Sequence, residues 1–68
     1  MIYKIEIEDD SYIEVCVYEE SKEILLHVAD IAINKDKTRT ERFINFELDE
    51  NTCRKLIKCL RHAIDDIY

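Results

Sequence analysis

Hydrophobic and polar positions along this chain repeat with two different periods. From Ile2 to Leu48 the period is two, and from Asp49 to Tyr68 it is close to 3.6. In the first run Tyr3, Ile5 and Ile7 alternate with Lys4, Glu6 and Glu8, the pattern of a strand over residues 2–8 with one face buried. A second strand is predicted over 12–19. Ile13, Val15 and Val17 share one face, and Tyr12, Glu14, Cys16 and Tyr18 share the other. The polar Asp9-Asp10-Ser11 between them reads as a turn, because Asp tolerates the left-handed region better than most residues.

Residues 24–33 form the most apolar run and are expected to be a central strand. Ile24, Leu26 and Val28 match one face, whereas Ile31 and Ile33 match the other, and Asp30 falls where the apolar face would continue. Either a β-bulge near Ala29-Asp30 or burial of both faces accounts for this change of phase. The polar loop 34–40 follows. The fourth strand, 41–48, sets Ile44, Phe46 and Leu48 against Phe43, Asn45 and Glu47.

The last segment changes period. Cys53, Leu56, Ile57, Leu60, Ala63, Ile64 and Ile67 recur at helical spacing and fall in a stripe about 120° wide. Asp49 is placed to cap a helix over residues 50–67, and Glu50 complements the dipole in its first turn. Four strands joined by short connections form an antiparallel meander. The expected fold is therefore α+β, in the order ββββα. Its single C-terminal helix should lie on the face carrying Tyr3, Ile5, Ile7, Ile13, Val15, Val17, Ile24, Leu26, Val28, Ile44, Phe46 and Leu48.

Composition changes this picture in three respects. A chain of 68 residues is expected to be one domain with a marginal core. It has no Gly and no Pro, so every positive-φ turn position must be filled by Asn, Asp, Ser or Lys, and glycine-rich phosphate loops are excluded. Three cysteines without paired spacing point to reduced thiols, and the chain lacks both a signal-peptide layout and a membrane-length apolar run. A cytoplasmic protein is expected.

Charge is unevenly spread. Residues 1–23 carry Glu6, Glu8, Asp9, Asp10, Glu14, Glu19, Glu20 and Glu23 against Lys4 and Lys22, which accounts for the whole net charge of −6. A phosphate backbone requires the opposite sign, so a basic protein surface is the natural complement.

The second sheet face is expected to hold Ile2, Tyr12, Cys16, Tyr18, Leu25, Ala29 and Phe43, joined by Ile31 and Ile33 if the strand keeps its register, among polar neighbours. That is too much apolar area to leave in water, and homodimerisation through it is the expectation. Catalytic readings are weaker. Cys16, Cys53, Cys59, His27 and His62 match no metal-ligand spacing. Cys16 and His27 lie on a flat face without an oxyanion-hole loop, and the acid pairs Asp9-Asp10, Glu19-Glu20 and Asp65-Asp66 fall in solvated turns or at a chain end. No enzyme, cofactor or metal is therefore expected.

The expected function is that of a small acidic interaction protein, in the manner of phage or mobile-element inhibitors that occupy a basic surface of a host protein. Glu6, Glu8, Asp9, Asp10, Glu14, Glu19 and Glu20 would make the charged contacts, with Tyr12, Tyr18 and Phe43 as apolar anchors. Two alternatives use the bases. Four strands and then a helix, with Phe46–Glu50 (FELDE) running into it, resembles in layout the single-strand-binding transcriptional coactivators of the positive-cofactor type. That resemblance implies a dimer whose sheets hold DNA. Read from the residues themselves, Lys35, Lys37, Arg39 and Arg42 could contact a nucleic-acid backbone and Phe43 and the tyrosines could stack on bases, although Glu6, Glu8 and Glu14 on the strands disfavour it. The other alternative is an oligomer that sequesters a nucleotide between subunits through Arg39, Arg42 and Arg54.

Overall fold

A computed structural model describes residues 1–68. Strands β1 (Ile2–Glu6), β2 (Tyr12–Tyr18), β3 (Glu23–Ile33) and β4 (Arg39–Leu48) form one antiparallel sheet in sequence order, followed by helix α1 (Glu50–Ile67). The protein is an α+β chain of ββββα order. No helix is long and apolar enough to cross a membrane.

Each turn solves the absence of glycine locally. Asp9 and Asp10 take φ of 59° and 68° in a short 3-10 turn (Glu8–Asp10) between β1 and β2, which shortens β1 relative to the expected 2–8. Lys22 at 56° serves the β2–β3 turn, and Lys37 at 69° serves the β3–β4 turn. In that last turn Thr38 donates to Asp36 Oδ1 from its hydroxyl at 2.6 Å and from its backbone N–H at 3.1 Å. The Thr38 hydroxyl, and then its N–H, hold the Asp36 carboxyl below the ordinary range.

The expected bulge is absent. β3 pairs with β4 without interruption from Ile24↔Leu48 to Ile33↔Arg39. Alternation therefore continues, and Asp30 stays on the aliphatic face. There it meets Arg42 directly opposite, at 3.0 Å. An ion pair at the end of the face does the work for which a change of register was expected.

The registers align the aliphatic face into continuous rows. Tyr3, Val15, Leu26 and Phe46 make one row, Ile5, Ile13, Val28 and Ile44 the next, and Val17, Ile24 and Leu48 a third. The opposite, aromatic face carries Tyr12, His27, Ala29, Ile31 and Phe43.

The helix departs from expectation. It does not lie across the aliphatic rows, and none of its residues is buried. Leu60 is 55% exposed and Ile64 56%, while Ile5 and Phe46 on the sheet are 60% and 54% exposed. The reason lies in the connection. Asp49 alone separates the end of β4 from the first helical residue, and its backbone is extended (φ −84°, ψ 171°). One extended residue carries the helix onward from the sheet and cannot reverse it over its own strands. The chain is thus a plate of 43 × 35 × 15 Å, where two layers were expected.

Burial is correspondingly slight. Ala29 and Ile31 are the only buried residues, and both lie on the aromatic face. Ala29 sits between Tyr12 and Phe43 in register, and both rings come within 5.8 Å of His27. Ile31 is fixed by Ser11, whose Oγ accepts from Ile31 N–H at 2.9 Å and donates to its carbonyl at 3.2 Å. The serine side chain continues the β2–β3 ladder one step before β2 begins.

Candidate functional site

Two surfaces differ in chemistry. The aromatic face mixes ring systems with charge. Tyr12, Tyr18 and Phe43 share it with Glu6, Glu14, Glu23, Glu41 and Glu47, against Lys4 and Arg39. Lys4 Nζ stands 4.4 Å above the Tyr12 ring, so its charge is held by an aromatic face. His27 donates from Nδ1 to Asn45 Oδ1 and stacks on Phe43.

The expected acidic set is not one patch. Glu6 and Glu14 lie on the aromatic face, Glu8, Asp9 and Asp10 at one end of β2, and Glu19 and Glu20 at the other. The two acidic turns are about 23 Å apart, the length of a seven-residue strand. Asp10 is also paired, 3.4 Å from Arg39. What the strands unite is Glu6, Tyr12, Glu14 and Phe43, with Tyr18 further along β2.

The candidate anion contacts do not converge. Arg39 and Arg42 stand on opposite faces of β4. Arg39 pairs with Asp10 and, at 2.8 Å, with Glu41; Arg42 pairs with Asp30. Arg54 reaches Glu50 one helical turn away at 3.2 Å. Lys35 and Lys37 occupy the exposed β3–β4 turn. No three His, Cys, Asp or Glu side chains are grouped as metal ligands. Cys16 and His27 share the aromatic face one row apart, and His27 is already committed to Asn45.

The aliphatic face is different in kind. Asp30 and Arg42 are its only charged residues, and they face each other. At the Val17–Ile24–Leu48 end it continues into the helix stripe through a groove of about 540 Å³, whose helical wall includes Cys53 and Ile57. Sheet face and helix stripe thus meet at a solvent-open groove whose rim also carries Glu19, Lys22, Glu23, Glu50 and Arg54. A helix lying over this face, as periodicity alone predicts, would have left no site here. The signal was present in the sequence, since a strand ending at Leu48 and a cap at Asp49 leave no residues for a reversal.

These features define an α+β protein with an open sheet and two chemically distinct, uncovered faces. No protein-family model, curated protein or solved structure matches the chain, so its function is read from its own residues.

Proposed function

We propose that this chain is a non-enzymatic protein-binding module whose aromatic face docks on a basic protein surface. The observation that carries the reading is the interleaving on one face of Tyr12, Tyr18 and Phe43 with Glu6 and Glu14. Tyrosine joins apolar area to a polar tip and anchors interfaces well, while surrounding carboxylates select the sign of the partner. By occupying a basic groove the module would block whatever ordinarily sits there, which is how a small inhibitor works. A nucleic-acid reading lacks comparable support, because Arg39, Arg42 and Arg54 each already face a carboxylate and do not share a surface.

The test is a low-salt titration against two immobilised probes, an oligo-lysine peptide and a single-stranded oligonucleotide. Binding to the peptide is expected, weakening as salt rises, with none to the oligonucleotide. Glu6→Lys with Glu14→Lys should weaken peptide binding several-fold. Binding to the oligonucleotide, or peptide binding untouched by the double substitution, would overturn the proposal.

A further inference from the structure

We propose that the aliphatic face of one chain is covered by the C-terminal helix of a second copy, in a two-fold exchange that gives each sheet its missing layer. This stands on different residues from the aromatic-face reading and does not depend on it.

The first argument is area. The chain exposes 6190 Å², whereas a compact monomer of 8.2 kDa exposes about 4,500 Å². The excess is about 1,700 Å² per chain, or about 3,400 Å² for a pair, within the range of obligate homodimers. The radius of gyration agrees: it is 14.7 Å, where a compact domain of this length has about 11 Å. A chain with two buried residues has no core of its own to hold it folded.

The second argument is fit. The helix has 18 residues and so is about 27 Å long, which lies within the span of β3, whose 11 residues extend about 36 Å. Its apolar stripe carries no charge, and the face it would cover carries only the self-paired Asp30 and Arg42. Away from the charged rim of the groove between them, the stripe and the rows offer a foreign partner no unpaired charge to recognise, and each is what the other lacks.

The third argument is connectivity. With Asp49 as the sole linking residue, the helix cannot fold back on its own sheet but is free to reach another. A short hinge between two elements that need each other is the known setting for exchange. In a two-fold arrangement both helices and both sheets are satisfied at once, and the assembly closes at two.

The experiment is light scattering combined with site-directed cross-linking in a background with Cys16, Cys53 and Cys59 replaced by serine. A mass twice that of the 8.2 kDa chain is expected. Chains carrying Leu60→Cys mixed with chains carrying Leu26→Cys should form a disulfide-linked heterodimer on oxidation, while Leu60→Cys chains alone should not link. Ile64→Glu should shift the mass to monomer and reduce folded signal. Tyr12→Lys with Phe43→Lys should leave the mass doubled. A folded monomer of 8.2 kDa, linkage through Leu60→Cys alone, or dissociation by the Tyr12 and Phe43 changes would each overturn the exchange. The first would mean a helix docked on its own sheet, the second helix-to-helix association, and the third pairing through the aromatic face. The oligo-lysine titration reads none of these, so either proposal can fail without the other.

Discussion

At the residue scale, polar side chains replace what glycine and extended pairing usually provide. Asp9, Asp10, Lys22 and Lys37 accept the left-handed conformation that the turns require. Ser11 satisfies both backbone groups of Ile31 just before β2 begins. Ser11→Ala would leave an N–H and a carbonyl beside one of the two buried residues without partners. It should destabilise the fold by about 1–3 kcal/mol, measurable as a lower urea midpoint at unchanged slope. The Asp30–Arg42 pair is largely exposed and contributes little energy, but it supplies both charges on the aliphatic face and ends the apolar rows.

At the element scale, the strands and the helix were legible because their periods are unambiguous. β2 follows Ile13, Val15 and Val17, and the helix from Glu50 to Ile67 follows the stripe from Cys53 to Ile67. The candidate site was legible in part: register brings Glu6, Tyr12, Glu14 and Phe43 together as alternation implies, whereas the acidic turns separate because opposite ends of a strand cannot meet. What periodicity could not give was docking. A stripe states that a helix has an apolar partner, not which chain supplies it, and Asp30 broke the alternation of composition without breaking register.

The helix cap carries a pH dependence. Thr52 donates its N–H to Asp49 Oδ1 at 2.7 Å, which holds the Asp49 carboxyl below the ordinary aspartate range. A depressed folded value adds stability above the unfolded value, near 4 for aspartate, and that contribution is lost as pH falls through the folded value. Helix content by circular dichroism should therefore hold from neutral pH down to the usual aspartate range and fall below it. Asp49→Ala should lower it at neutral pH and flatten this acid limb.

At the scale of the whole molecule, the plate leaves its apolar layers uncovered. Its outer strands β1 and β4 and its aliphatic rows have no cover, and the aromatic face, with its two buried residues, is the better consolidated side. Folding and association should be one event, so the thermal midpoint should rise with protein concentration. The single-residue link at Asp49 has a further consequence for valency. Inserting about four Gly/Ser residues after Leu48, a length typical of connections that reverse direction, would let each helix close over its own sheet. The lengthened chain should sediment as a single chain, half the mass of a pair, yet keep its aromatic face intact. If the exchange holds, the parent carries two such faces and should hold a multivalent basic surface by avidity, and the lengthened chain should grip it with one arm.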